Sequence, residues 1–507
     1  MSLEDRLYPL LAIYERLPQG LRRVLGFTYR QLPASWRFGK HYAEFTPLAH
    51  EGEQWSPAEI QAYQLKELRR TLHHAASFCP FYQRAFVRAG FRPENVQSLE
   101  DLNACPCLEK KDLQEHLNEM ISSELPASLR LYLTTGGSTG VPAGFYLQKG
   151  VSRPKEQAFL EAMWRRAGYF DGARLAVIRG HVTSSEARGK ITCYDATRDW
   201  LMLSSYHLTT ERLPEYLDTL EKFRPDLLHA YPSAALQIAE FLEKAGQTWR
   251  VPMRGLLCGS EQLTLPQKRL LERVFQCRVY RWYGHAERVV LAGEGKTSEL
   301  FYFWPQYGYV EFGPPDEDGL CEVIGTSFHN LVMPLIRYRT GDYVRLARES
   351  APSPKSEIRN PKEIRNPNTE PNAQNDSDRD SDFGLRDSFG FRTSAFGFEF
   401  PWPAAVEIAG REQEFLVSAT GRRISLTAFN MHDATFDDLY AVQFFQDEPG
   451  RAQFRYVPGP RFHTSRLEQI EAGIRRKLGD DFQIEMRPVT EVEKTARGKH
   501  RWLVSKL

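Results

Sequence analysis

The chain has 507 residues, which is enough for two or more domains and a large core. Its 66 Lys and Arg residues nearly balance its 65 Asp and Glu residues, so the formal net charge is +1. This balance argues against a broad basic surface for nucleic acid, although it does not exclude a local basic groove for a phosphorylated ligand. Because no run of eighteen apolar residues occurs, we expect no transmembrane segment.

The seven cysteines are odd in number and scattered, and only Cys105 and Cys107 lie close together. No second pair and no histidine stands at the spacing of a zinc site. The pattern indicates reduced thiols in a cytoplasmic protein and predicts no structural metal.

The N-terminal part of the sequence predicts helices, and the part that follows predicts an alternation of strands and helices. Ser56-Pro-Ala-Glu59 has the form of a capping box with proline at the first helical position, and an apolar helical pattern follows it. From about residue 130 to 345, apolar runs such as 175–178 and 227–230 alternate with helical patterns such as 234–242 and 265–274. This alternation is typical of a layered α/β domain with buried strands.

A loop rich in glycine and hydroxyl groups, Leu-Thr-Thr-Gly-Gly-Ser-Thr-Gly-Val-Pro, occupies residues 133–142. Glycine lets the backbone approach a polyphosphate closely, and the N–H and hydroxyl groups can donate to it. By itself such a cluster is more often a plain turn. The loop also lacks the Gly-Lys-[Ser/Thr] ending of a P-loop.

Further polar motifs follow in order: Gly-Ser-Glu at 259–261, Arg-Trp-Tyr-Gly-His-Ala-Glu at 281–287, Ile-Arg-Tyr-Arg-Thr-Gly-Asp at 336–342, a glycine and arginine at 410–411, and Lys-Thr-Ala-Arg-Gly-Lys-His-Arg at 494–501. Glu287 is a candidate Mg²⁺ ligand, since hard oxygen ligands suit that ion. The carboxylate of Asp342 could accept from both hydroxyls of a ribose. Each residue also has a purely structural alternative: Glu287 as an exposed acid, Asp342 as a turn residue, Tyr283 as a core aromatic, and Lys499 as a solvated charge.

Residues 351–400 interrupt the pattern with a tract rich in Asn, Asp, Ser and Pro, in which Glu-Ile-Arg-Asn-Pro occurs at 357 and again at 363. Such a composition cannot bury a core, and we interpret the tract as a disordered surface insert. The interpretation predicts that deleting residues 355–398 leaves activity near that of the wild type.

The remaining residues predict a small α+β domain. Strands are expected at 441–445 and 453–457. A second capping box, Ser465-x-x-Glu468, predicts the start of a helix with apolar residues on one face, and a further strand is expected around 482–486. The predicted domains are therefore 1–407, a large domain that carries the insert, and 408–507, a small C-terminal domain.

The ordered motifs resemble those of the adenylate-forming superfamily of acyl-CoA synthetases, adenylation domains and luciferases. Within it the chain is most similar to phenylacetate–CoA ligases and their relatives in capsule-polysaccharide biosynthesis, on the strength of two further stretches at 75–82 and 98–113. The resemblance runs from about residue 60 to the C-terminus apart from the insert. It implies an α/β fold with a large layered domain and a small mobile α+β lid.

The resemblance also implies roles for individual residues. The catalytic group would comprise Lys499, which would bridge the substrate carboxylate and the α-phosphate, together with Glu287, which would bind Mg²⁺, and Thr139. ATP would be bound by these residues: Thr135, Gly136, Gly137, Ser138, Thr139, Gly140, Gly259, Ser260, Glu261, Tyr283, Gly284, Asp342 and Arg411. The acid would lie near Tyr231, Ser233 and His285, with His229 and the Arg179–His181 stretch as further candidates.

The implied reaction joins a carboxylic acid, aryl or otherwise hydrophobic, to ATP, and then passes the acyl group to coenzyme A. An alternative keeps the adenylate but sends the acyl or AMP group to another acceptor in polysaccharide or cofactor biosynthesis. A third possibility, from a different class, is a nucleotide-binding scaffold without catalysis. Several positions depart from the family pattern, namely Gly136, Ala143, Ala286 and Gln413, and these bear mainly on the rate and on the acceptor.

Overall fold

The computed structural model describes residues 13–14, 17–134, 143–180, 191–316, 319–347, 398–409, 415–425, 436, 439–459, 462–493 and 502–507. None of the described helices is long and apolar enough to cross a bilayer.

The helices are distributed along the whole described chain. They are α1 (Gln19–Arg30), α2 (Ala34–Phe38), α3 (Lys40–Glu51), α4 (Pro57–Phe78), α5 (Pro80–Ala89), α6 (Lys110–His116), α7 (Ser152–Arg165), α8 (Leu213–Phe223), α9 (Pro232–Lys244), α10 (Leu265–Phe275) and α11 (Leu467–Leu478).

Helix α4 begins as its sequence predicts. The Ser56 hydroxyl accepts from the backbone N–H of Glu59, and the Glu59 carboxylate accepts in return from the backbone N–H of Ser56 at 2.8 Å. The predicted apolar face of this helix is buried at Ile60, Leu68 and Leu72.

A twelve-stranded sheet forms the centre of the large part of the molecule. Its strands are β3 (Leu175–Arg179), β4 (Thr192–Asp195), β5 (Trp200–Ser204), β6 (Leu227–Ala230), β7 (Gly255–Gly259), β8 (Val279–Gly284), β9 (Leu291–Glu294), β10 (Phe301–Phe303), β11 (Gly308–Phe312), β12 (Cys321–Ser327), β13 (Tyr338–Leu346) and β14 (Ala404–Ala409). Their spatial order is β11-β12-β13-β14-β10-β9-β8-β7-β6-β3-β5-β4.

The sheet is parallel from β5 through β3, β6 and β7 to β8, and antiparallel elsewhere. Successive residues of the parallel strands point to opposite faces. Ala176 and Ile178 of β3 therefore pack in a core with helices α8, α9 and α10, whereas Leu175 and Val177 pack in another core with helix α7. These layers on both faces confirm the predicted α/β architecture.

A separate hairpin frames the predicted phosphate loop. Strand β1 (Arg130–Thr134) pairs antiparallel with β2 (Gly144–Gln148), and Thr134 lies opposite Gly144. The two ends of the loop are thus held side by side, while residues 135–142 themselves lie outside the described residues.

The C-terminal part forms a four-stranded sheet of order β19-β18-β17-β20, packed on helix α11. Its strands are β17 (Leu439–Glu448), β18 (Arg451–Pro458), β19 (Gln483–Pro488) and β20 (Leu503–Ser505), and a two-stranded sheet of β15 (Phe415–Val417) and β16 (Arg423–Ser425) precedes them. The two predicted strands around 443 and 455 are confirmed.

The predicted capping box at Ser465 is wrong. Ser465 lies in a short 3-10 turn, Thr464–Arg466, and helix α11 starts after Arg466 without a side-chain cap. The Ser465 hydroxyl instead hydrogen-bonds the ring of His463 at 3.4 Å. The end of the helix is as expected, because Gly479 follows it with a φ of 83°.

The end of the predicted insert is packed against the large domain. Phe398 and Phe400 lie against the core that holds helix α7, and the Glu399 carboxylate accepts the backbone N–H of Ser298 at 2.9 Å. The interpretation of residues 398–400 as part of a solvated insert is therefore wrong, while residues 351–397 lie outside the described residues. The predicted domain boundary at residue 407 falls inside β14, which as a whole belongs to the large sheet.

Candidate active site

The carboxyl ends of the parallel strands collect several of the predicted site residues at one edge of the sheet. Tyr231 follows β6, the stretch 259–261 closes β7, and Gly284 ends β8. In open α/β sheets this edge is where ligands bind. A Cβ atom on Gly259 would come within 2.3 Å of the Trp282 side chain, so the tryptophan can lie here only over a glycine.

Glu261 and Ser233 lie in contact and fix the start of helix α9. The Glu261 carboxylate accepts from the Ser233 backbone N–H at 2.9 Å and from its hydroxyl at 3.1 Å. A carboxylate at a helix N-terminus also interacts favourably with the helix dipole. Both residues were predicted to face ligand, and this contact gives them in addition a structural function.

Tyr283 and Asp342 join two of the motifs. The Tyr283 hydroxyl donates to Oδ2 of Asp342 at 2.9 Å across a separation of 59 residues. Burial, with the nearby Asp342 charge, raises the pKa of Tyr283 well above its ordinary value, so the phenol stays protonated as a donor. The carboxylate retains a second oxygen for a further donor such as a ribose hydroxyl.

Glu287 is buried and held from two sides, which excludes the alternative of an exposed acid. The Tyr338 hydroxyl donates to its Oε1 at 3.0 Å, and Nδ1 of His285 lies 3.3 Å from its Oε2. Burial raises the pKa of the Glu287 carboxyl, but His285 and Tyr338 outweigh this effect and lower the pKa to about 2. The pKa of His285 is raised in turn, since the neighbouring Glu287 outweighs the effect of burial.

An ionised, buried carboxylate of this kind suits a hard cation such as Mg²⁺. Among the described residues no group of three or more His, Cys, Asp or Glu side chains is placed to hold a metal ion. Glu287 would therefore be the described protein ligand, and the other positions would have to be filled by phosphate oxygens and water.

Three residues with a strained, positive φ lie next to these motifs. Six non-glycine residues in the described part have a positive φ, and three of them adjoin the site: Ser260 at 70°, Arg288 at 54° and Arg337 at 48°. They neighbour Glu261, Glu287 and Tyr338. Non-glycine residues held in this region cost energy and are enriched at functional sites.

Several predicted site residues lie outside the described residues, namely Thr135, Gly136, Gly137, Ser138, Thr139, Gly140, Arg411 and Lys499. Their roles stay predictions. Tyr338 and Trp282 were not predicted as site residues, although each lies within one of the polar motifs and is recognisable there as a hydrogen-bonding or aromatic residue.

The chain is similar in sequence to protein CapK and to phenylacetate–coenzyme A ligases. It is 24% identical over 315 residues to protein CapK of Staphylococcus aureus, covering 62% of this chain and 68% of CapK. It is 26% identical over 307 residues to phenylacetate–coenzyme A ligase of Escherichia coli (strain K12), covering 58% of this chain and 69% of the ligase. No protein-family model matches the chain.

A solved structure of 2-hydroxyisobutyryl-CoA ligase with 2-HIB-AMP and CoA has a similar fold, with a TM-score of 0.54 and 17% identity over 90% of this chain and 91% of that one. The chain therefore has the fold of an acyl-CoA ligase. In sequence it is similar to the phenylacetate–coenzyme A ligases and to CapK.

Proposed function

We propose that the chain activates a carboxylic acid with ATP to an acyl adenylate and pyrophosphate, and then transfers the acyl group to coenzyme A. The observation that carries the proposal is the joining of two motifs by the contacts Tyr283–Asp342, at 2.9 Å, and Tyr338–Glu287, at 3.0 Å. They support a site in which the carboxylate of Asp342 would bind the ribose and that of Glu287 would bind the cation. Relatives named as phenylacetate–coenzyme A ligases support the same reaction.

The chemistry asked of these residues is mainly positioning and electrostatics. Asp342 would hold the ribose, with its orientation fixed by Tyr283. Glu287 would hold Mg²⁺, which when bound supplies positive charge beside the phosphates. The loop 135–140 would donate to the β- and γ-phosphates, and Lys499 would face the charge that develops as the carboxylate oxygen attacks the α-phosphorus and pyrophosphate leaves.

A division into a large domain that ends with β14 (Ala404–Ala409) and a mobile C-terminal lid belongs to the proposal, with Arg411 near the hinge. So does a cytoplasmic location. It is supported by the cysteines, all seven of which are free thiols, as expected in a reducing compartment.

The resemblance of the sequence to the capsule-polysaccharide-biosynthesis relatives leads to a second candidate function, in which the acyl or AMP group goes to an acceptor other than coenzyme A. The departures Ala286, in the second motif, and Gln413, at the expected hinge, would bear on the rate and on the acceptor. The two candidates share the adenylate and differ only in what releases AMP.

The test is acid-dependent exchange of labelled pyrophosphate into ATP over a panel of aryl and aliphatic acids, followed by AMP release with and without coenzyme A. We expect exchange with one class of acid and AMP release that requires coenzyme A. Glu287→Gln should abolish most of the Mg²⁺-dependent exchange, while Glu485→Gln, on the exposed face of β19, should not. Exchange without a coenzyme A effect would favour the second candidate, and no exchange with any acid would contradict both.

A further inference from the structure

Arg179 is a cation at the carboxyl edge of the parallel strands. Strand β3 ends at this residue, one position beyond Ile178, which pairs with Ala230 of β6. Ala230 pairs with Cys258, and Gly259 pairs with Trp282. Arg179, Tyr231, Gly259 and Trp282 therefore form one row across the edge of the sheet, and the side chains of Arg179 and Trp282 leave the same face.

The described partners of the Arg179 guanidinium are all neutral. Its Nη1 lies 2.8 Å from Nε2 of His229, and its Nη2 donates to the Ser260 hydroxyl. Because arginine has no acceptor, His229 must accept through an unprotonated Nε2 and is therefore uncharged. The ring centroids of Tyr231 and Trp282 lie 4.8 Å and 5.5 Å from the guanidinium carbon.

Three other arginines of this domain each have a carboxylate partner. Arg166 pairs with Glu53 at 2.7 Å, Arg281 with Glu294 at 2.5 Å, and Arg337 with Glu311 at 3.0 Å. Within the described ranges, no carboxylate lies within the 4.0 Å ion-pair distance of Arg179. Removing a charged group from water without a counter-charge is costly, so a half-buried guanidinium at a ligand-binding edge indicates an anionic ligand group.

Arg179 lies on the side of the edge where the acid is expected, because its guanidinium carbon lies 4.8 Å from the ring centroid of Tyr231, a predicted acid-pocket residue. The phosphates would lie near Glu287 and Asp342. The far end of an extended acid that lies along the carboxyl edge can therefore reach Arg179.

We propose that the acid activated by this chain carries a second acidic group at its far end, and that Arg179 binds that group. The inference rests on the proposed function and deepens it. Tyr231 and Trp282 would contact the apolar or aromatic middle of the acid, and the guanidinium edge would take the second carboxylate in the paired geometry that arginine favours. His229 and Ser260 hold the guanidinium in place without neutralising it.

The test compares matched acids that differ only in the second carboxylate: phenylacetate against 4-(carboxymethyl)benzoate, and hexanoate, octanoate and decanoate against the α,ω-diacids of the same lengths. Pyrophosphate exchange gives kcat/KM for each acid. For the wild type we expect at least one diacid to exceed its partner about tenfold or more. Arg179→Gln should lower kcat/KM for that diacid about tenfold more than kcat/KM for its monoacid partner, and so remove the preference.

The matched control is Arg254→Gln. Arg254 also lies against an aromatic ring, that of Phe170 at 5.0 Å, but it precedes β7 at the opposite edge of the same sheet. This variant should keep the diacid preference. Equal loss with every acid and of ATP affinity in Arg179→Gln would show a nucleotide or folding role and overturn the inference.

The inference would be overturned, and the proposed function would stand, if the wild type preferred every monoacid to its diacid and if Arg179→Gln left the ratio of the two kcat/KM values unchanged. No exchange with any acid would instead count against the proposed function, and the inference would fall with it.

Discussion

Lys499 is the single residue whose replacement we expect to affect the first half-reaction most. Its ammonium would meet charge that develops only in the transition state, so Lys499→Ala should lower pyrophosphate exchange about 100-fold or more. The dissociation constant of ATP, measured by calorimetry, should change little. Lys494→Ala is the matched control and should stay within a few-fold of the wild type. Parallel loss of ATP binding and exchange in Lys499→Ala would contradict this role.

Lys155 predicts a pH dependence of stability. Its Nζ donates to the Tyr307 carbonyl at 2.5 Å, and burial lowers its pKa to about 7. An unfolded lysine titrates near pH 10.4, so between about pH 7 and 10 the unfolded chain binds more protons than the folded chain. This group therefore makes the folded state more stable as the pH rises through that window, and its cost is fully present below pH 7.

Lys155→Met should remove this dependence. Between pH 7 and pH 9 the free energy of unfolding in urea should rise more in the wild type than in the variant, by about 1–3 kcal/mol. Lys222→Met, which removes an exposed lysine paired with Asp218, serves as the control. Identical pH profiles for the wild type and Lys155→Met would mean that the buried amine keeps an ordinary pKa.

The identity of the site residues was easier to predict from the sequence than the contacts that these residues make. Glu287 and Asp342 were recognisable because hard carboxylates followed glycine-containing turns in ordered motifs. The contact of Tyr338 with Glu287, and the row that brings Arg179 beside Trp282, depend on strand register. Register is set by packing between residues far apart in the chain, and no local pattern contains it.

Among the helices, the observed starts of α4 and α11 can be compared with the predicted ones. Ser56 and Thr264 both form complete capping boxes, before α4 and α10, whereas Ser465 does not cap α11. Ser56→Ala and Thr264→Ala should each lower the free energy of unfolding by about 1 kcal/mol. Ser465→Ala should stay within about 0.5 kcal/mol. Urea denaturation checks all three, and a cost at Ser465 equal to that at Ser56 would contradict the structure.

Elements with a strong local pattern were predictable from the sequence. Strands β3 and β6 stood out as short apolar runs, and α9 and α10 as helical patterns next to proline. The position of β14 between β13 and β10 was not predictable, since the chain returns to the sheet only after the insert. Ser465 failed because its pattern fits either a cap or a preceding 3-10 turn, and local sequence does not choose between them.

For the molecule as a whole, the packed end of the insert changes the expected effect of a deletion. Glu399 accepts backbone N–H groups at 296–298, and Phe400 stacks on Trp402 at 4.6 Å beside Arg166. A deletion of 355–396 should keep wild-type exchange activity and melting temperature. Extending it to 355–402 should lower the melting temperature by several degrees, because it removes these contacts. Equal melting temperatures for the two deletions would show that the contacts contribute little.

The two strands that flank this tract meet in the sheet. The backbone N–H of Ala347 donates to the carbonyl of Ala404 at 2.9 Å, and Leu346 lies opposite Ala405. The free energy of closing a loop rises only by about 0.6 kcal/mol for each doubling of its length. The pairing of β13 with β14 should therefore depend only weakly on the length of the segment between them. The position before Phe398 is accordingly a natural site for grafting a fluorescent or affinity module into the chain.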